Sequence, residues 1–183
     1  MRVIGVDPGN AVTGFGVVER LTDLRYVAAG TIRAGALKRG PQRLARLYRR
    51  LLNVIDEHAP DTMSLERSFV ATNIQSAFTL GEARAIAMLA AAERGLELFE
   101  YTPTDVKLSI AGYGRAGKDQ VKTMVRRTLV LSDGHELADD AADALAIALC
   151  HLFRAKIPRP APPRRPLPTR RYRRNPALEQ VRS

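Results

Sequence analysis

Arg2-Val-Ile-Gly-Val-Asp-Pro-Gly-Asn-Ala-Val-Thr-Gly-Phe-Gly16 begins with an apolar run that ends on an acid. Val3, Ile4 and Val6 are too few for a helix, are β-branched, and are stopped by Pro8-Gly9, so the run predicts a buried strand. Asp7 is its last residue. A carboxylate at the end of a core strand is costly to keep ionised unless a cation or a hydrogen-bond network meets it. Asp also caps turns such as Pro8-Gly9-Asn10. This stretch alone leaves the turn cap and a metal-binding role open.

Working outward, Thr13 to Arg20 predicts a second strand, joined by a turn short enough to require an antiparallel hairpin. Leu24 to Ile32 predicts a third. Pro41 opens a helix in which Leu44, Leu47, Leu51, Leu52 and Ile55 recur at helical spacing among arginines. Asp61 to Glu66 reads as a short strand that also finishes on a carboxylate, with a surface pairing to Arg67 as the alternative role for Glu66. A helix then runs from Thr72 or Asn73 to Gly95. Its small residues at helical spacing would admit another helix, within the fold or across a dimer. Leu96 to Tyr101 alternates as a strand, and Pro103 starts a short helix ending near Ile110.

Gly112-Tyr-Gly-Arg-Ala-Gly-Lys118 imitates a phosphate-binding P-loop in its glycine spacing. It departs from one at Asp119, where a hydroxyl is required, and no clean strand precedes it. A glycine loop presenting Arg115 and Lys118 fits a nucleic-acid backbone, or simply solvent. Gln120 to Leu131 predicts a helix broken at Asp133-Gly134. The final helix, Asp139 to Phe153, crowds Asp139, Asp140 and Asp143 into its start. Acids there suit the helix dipole, but three exceed what a cap requires. Spacing pairs Asp143 with either Asp140 or Asp139, and does not choose between them.

The 183 residues suffice for one domain with a real core. No apolar run is long enough to span a bilayer and no signal pattern opens the chain, which predicts a cytoplasmic protein without a membrane partner. The single cysteine, Cys150, lies in an apolar helical pattern and reads as a small core residue. The net charge of +10 is concentrated at the end: residues 154 to 183 hold ten lysines and arginines against Glu179 alone, and seven of the 11 prolines. That composition predicts an extended, disordered basic arm suited to nucleic-acid phosphates.

If the first strand and the Asp61–Glu66 strand lie side by side and the last helix packs on the sheet, their acids converge. Clustered carboxylates repel unless cations neutralise them, and hard oxygen ligands suit Mg²⁺ or Mn²⁺. Two such ions about 3.5 to 4 Å apart support phosphodiester hydrolysis.

Ile4-Gly-Val-Asp-Pro-Gly-Asn10 with Thr13-Gly-Phe-Gly16, Leu65-Glu-Arg-Ser-Phe69 with Asn73, Val106-Lys107, Gly117-Lys118, and Asp140-Ala-Ala-Asp-Ala-Leu-Ala-Ile-Ala148 together resemble the RuvC-type Holliday junction resolvases. The resemblance implies an α/β, RNase H-like fold with a mixed five-stranded sheet flanked by helices. One nuclease domain is expected over residues 1–155, and the Pro/Arg-rich tail, 156–183, read from its composition, departs from the matched body. The family's four acidic metal ligands fall on Asp7, Glu66, Asp140 and Asp143, which leaves Asp139 as a neighbouring cap. Two Mg²⁺ per site are implied, with Mn²⁺ able to substitute. Phe69 takes the place of the aromatic that stacks on bases near the crossover. Lys107 and Lys118 match basic residues near the scissile strand, and Asn73 and Arg115 complete the expected DNA contacts. The resemblance further implies a homodimer that nicks a four-way junction symmetrically, acting with the RuvA and RuvB branch-migration motor. The helix from about residue 73 to 94 is the expected dimer contact.

Overall fold

The computed structural model describes residues 1–9, 11–35, 40–67, 74–132 and 134–155. The arm expected over 156–183 lies outside the described residues, as do Phe69 and Asn73. Strands β1 (Arg2–Pro8), β2 (Val12–Arg20) and β3 (Leu24–Arg33) form an antiparallel meander. Helix α1 (Pro41–His58) crosses to β4 (Thr62–Glu66), and α2 (Ile74–Glu93) crosses to β5 (Glu97–Tyr101). Both crossovers return the chain parallel, so the sheet is mixed, with order β3-β2-β1-β4-β5. The last three helices are α3 (Pro103–Ala111), α4 (Lys118–Thr128) and α5 (Asp139–Arg154).

Alternation along β1 sorts the core into two layers, because successive strand side chains point to opposite faces. Ile4 and Val6 join Leu47, Leu51, Ile55, Met63, Leu65, Ala87 and Ala90 beneath α1 and α2. Val3 joins Val106, Val121, Val125, Leu145 and Leu149 beneath α3, α4 and α5. Asp7 shares the parity of Val3 and Gly5, and so belongs to the α5 face. Helix α5 is buried almost throughout, from Ala141 to Leu152, with Cys150 inside it as expected.

The helix lies so close to the sheet because two glycines leave room for it. A Cβ at Gly5 would sit 2.0 Å from the carbonyl oxygen of Ala144, and one at Gly14 would sit 1.9 Å from that of Asp140. The buried small residues of α2, Ala83, Ala87, Ala90 and Ala91, pack within the fold. Ile74, Phe78 and Leu89 of the same helix remain exposed.

Two helix boundaries differ from the sequence expectation. Helix α4 begins at Lys118 because Gln120 Oε1 accepts the Gly117 N–H at 2.9 Å, which closes the first turn two residues early. It ends at Thr128: Leu131 N–H reaches the Arg126 carbonyl at 2.9 Å and Val130 adopts φ 51°, a helix-ending turn in which glycine is usual. At α5 the N-cap is Ala138, and no side chain caps the helix. Asp139, expected as a cap, instead lies inside the first turn and pairs with Lys122 Nζ at 2.6 Å. The helix dipole is served without the capping hydrogen bond.

Candidate active site

Parallel pairing of β1 with β4 brings Val6 opposite Leu65. One residue further along stand Asp7 and Glu66: Glu66 closes β4, whereas β1 runs one residue past Asp7, contrary to the sequence expectation, because Pro8 still pairs with Thr13 of β2. Leu65 belongs to the α1–α2 layer, whereas Ser64 Oγ reaches the Ile147 carbonyl of α5 at 3.3 Å. Glu66 therefore shares the Ser64 face, the one that carries Asp7. The start of α5 overlies these strand ends, held down at Gly14, and contributes Asp140 and Asp143. All four acids are half-buried.

The electrostatics of Asp7 record this convergence. Its carboxyl is pushed up to about 7, first by burial and then by the negative charges of Glu66, Asp143 and Asp140, while Lys118 alone acts to lower it. Burial disfavours the ionised form, and three like charges within reach disfavour it further. Lys118 Nζ lies 3.3 Å from Asp143 Oδ2, and this carboxylate, ahead of those of Asp7 and Glu66, raises the lysine above its usual range. The lysine is largely exposed, so the pair is a partial neutralisation, not a buried bridge.

Four carboxylates, one of them unable to ionise easily, make a donor set that fits hard divalent cations. Among the described residues no three acidic, histidine or cysteine groups are gathered tightly enough to hold an ion as they stand. Mutual repulsion keeps such oxygens apart, and a cation placed among them would turn that repulsion into attraction.

Of the basic residues expected to meet DNA, Lys118 is the one brought to the acids, as the first residue of α4. Lys107 is half-buried on α3 and Arg115 is exposed between α3 and α4. Among the described residues neither forms an ion pair with the acids. The glycine segment that imitates a P-loop joins two helices, with Gly112 capping α3 at φ 83° and Gly117 at the start of α4. It is no strand-to-helix phosphate cradle.

Sequence reasoning passed over the support of β4. Arg84 Nη1 of α2 donates to the Glu66 carbonyl oxygen at 2.6 Å and its Nη2 pairs with Glu100 Oε1 of β5. The one available signal was an arginine standing among the alanines of a helix that otherwise reads as apolar and small.

A family model for the crossover junction endodeoxyribonuclease RuvC matches residues 3–151. The RuvC crossover junction endodeoxyribonuclease of Chloroflexus aggregans is 47% identical over 156 residues, 85% of this chain and 94% of the relative. That of Thermotoga petrophila is 41% identical over 160 residues, 87% of this chain and 96% of the relative. Among solved structures, Thermus thermophilus RuvC in complex with a Holliday junction substrate superposes with a TM-score of 0.77 at 33% identity, covering 84% of this chain and 93% of that one. The yeast mitochondrial Holliday junction resolvase Ydc2, at 16% identity and a TM-score of 0.58, shares the fold. With a matching family model across the whole α/β body and relatives of this identity along nearly their full length, the chain belongs to the RuvC family of crossover junction endodeoxyribonucleases.

Proposed function

We propose that this protein resolves Holliday junctions in recombination and repair, cutting the four-way junction by paired symmetric nicks. The observation that carries the site assignment is the Asp7 carboxyl, pushed up to about 7 by burial and by the negative charges of Glu66, Asp143 and Asp140. The bound Thermus relative, at 33% identity, supports the four-way junction as substrate.

Asp7, Glu66, Asp140 and Asp143 would hold two divalent ions, Mg²⁺ with Mn²⁺ as a substitute. Such ions supply Lewis-acid stabilisation of the attacking and leaving oxygens in an in-line displacement. The rigid strand ends fix two of the acids and the α5 backbone, pinned at Gly5 and Gly14, fixes the other two. Lys118, exposed and cationic at the edge of the cluster, is placed to exchange Asp143 for a phosphate oxygen. Water adds to phosphorus and the bond to the 3′ oxygen breaks, giving a 5′-phosphate and a 3′-hydroxyl.

Two further parts complete the reading. A two-fold dimer matches a two-fold junction, and the exposed Ile74, Phe78 and Leu89 of α2 are the surface on which it would form. The RuvA and RuvB motor is the assembly with which such an enzyme would act, in the cytoplasm; among the described residues no helix is long and apolar enough to cross a membrane. The basic arm of residues 156–183 would add sequence-independent affinity. Cleavage of a synthetic four-way junction against matched linear duplex, with each metal, tests the proposal.

A further inference from the structure

Glu66 closes β4, and the last paired position of that strand is Glu66 opposite Tyr101. Beyond it the chain leaves the sheet, so the end of β4 depends on what holds it from outside. Arg67 N–H donates to the Tyr101 carbonyl at 2.7 Å. The other tie comes from α2. Arg84 donates from Nη1 to the Glu66 carbonyl oxygen at 2.6 Å, and its Nη2 forms an ion pair with Glu100. Glu100 also lies 3.8 Å from Arg67 Nη2. One guanidinium thus bridges the last peptide of β4 and the neighbouring strand.

A side chain of this kind is poorly explained by stability alone. Arg84 and Glu100 are both mostly withdrawn from solvent, and the cost of desolvating such a pair largely cancels its attraction. What the fork of an arginine adds is geometry, since its donors leave in fixed directions from a planar group. The alanines flanking it, Ala83 and Ala87, are buried, so α2 lies close enough to the sheet for that fork to reach the strand end.

We infer that Arg84 is a positioning residue for Glu66, fixing the terminal peptide of β4 so that the carboxylate stands beside Asp7. The inference rests on the reading of Glu66 as part of the metal-holding site. Through Arg84, the position of α2, the helix with the exposed apolar stripe, is also tied to that site.

The sign of a metal-binding change separates this role from simple electrostatics. Removing a positive charge near four carboxylates tightens cation binding if charge is all that matters. Losing the position of one ligand weakens it, by about tenfold for an outer partner of a metal ligand. Mn²⁺ binding to DNA-free protein, followed by electron paramagnetic resonance, is therefore measured for wild type, Arg84→Gln and Arg84→Lys. Single-turnover cleavage of a synthetic four-way junction and the junction Kd in Ca²⁺ are measured alongside.

Arg84→Gln is expected to weaken Mn²⁺ binding and slow cleavage each by about tenfold, with the junction Kd within about twofold of wild type. Arg84→Lys, which keeps the charge without the fork, is expected to recover part of the loss. Unchanged or tighter Mn²⁺ binding in Arg84→Gln overturns the inference. So does wild-type Mn²⁺ affinity and cleavage in Arg84→Lys, the variant that decides the matter if Arg84→Gln proves unstable. A wild-type protein that fails to cut the junction at all contradicts the functional reading instead.

Discussion

Lys118 Nζ sits 3.3 Å from Asp143 Oδ2, and the same lysine is the positive charge that opposes the upward shift of Asp7. Lys118→Met is therefore expected to move the Asp7 carboxyl still higher in metal-free protein. Carbon-13 NMR titration of the aspartate carboxyls reads this directly, and a downward movement would contradict the arrangement. Stability should follow the same linkage. Asp7 has a folded-state value of about 7 against 3.8, so its contribution is fully present at low pH and is lost as pH rises between those values. In metal-free protein Asp7→Asn should stabilise by a few kcal/mol above pH ~7, with the gain shrinking toward pH ~4. Thermal melts across that range check it.

Gly14→Ala should place a methyl group against the Asp140 carbonyl, 1.9 Å from where the Cβ must sit. The contact is backbone on backbone, so the start of α5 has to lift. The expected result is a loss of about 1 to 3 kcal/mol in stability and a larger proportional loss of cleavage, because Asp140 and Asp143 move with the helix. Denaturant unfolding and single-turnover cleavage together check it.

These two relationships also mark how far the sequence could be read. The strands carrying Asp7 and Glu66 were legible because each is a short apolar run that closes on or next to its acid; β1 runs one residue further than its apolar pattern, since Pro8 keeps its place opposite Thr13. The choice of Asp140 over Asp139 was not legible from spacing, since both stand on one face with Asp143, and it came from the family resemblance. In the fold Asp139 is exposed and paired with Lys122, whereas Asp140 is half-buried beside Gly14. Helix α4 was misplaced by two to three residues at both ends for local reasons: a glutamine bonding back to Gly117, and a valine in a conformation that sequence rules reserve for glycine. The Arg84 tie was invisible because it joins residues 18 and 16 positions apart through a side chain, and no local pattern encodes it.

Val130 adopts φ 51° with 88% of its surface exposed. A β-branched residue in the left-handed region carries strain, and here no burial offsets it. Val130→Gly is expected to raise stability by about 1 kcal/mol, with cleavage unchanged. Chemical denaturation checks the sign, and a destabilised variant would show that the valine makes contacts worth more than the strain.

Ile74 and Phe78 are 78% and 70% exposed on α2. If that face joins two subunits, Phe78→Asp should leave a folded monomer, read by sedimentation, with symmetric double nicking lost. A variant that remains dimeric would move the interface elsewhere.

The proposed function requires that Asp7, Glu66, Asp140 and Asp143 form one metal-dependent cutting site. Its most direct test is cleavage of a synthetic four-way junction in Mg²⁺ by wild type and by Asp7→Asn, Glu66→Gln, Asp140→Asn and Asp143→Asn, with junction binding measured in parallel. Paired nicks are expected from wild type and none from any of the four variants, with junction binding largely preserved in all. A variant that cuts at close to the wild-type rate would remove its residue from the site, and cutting by all four would contradict the claim.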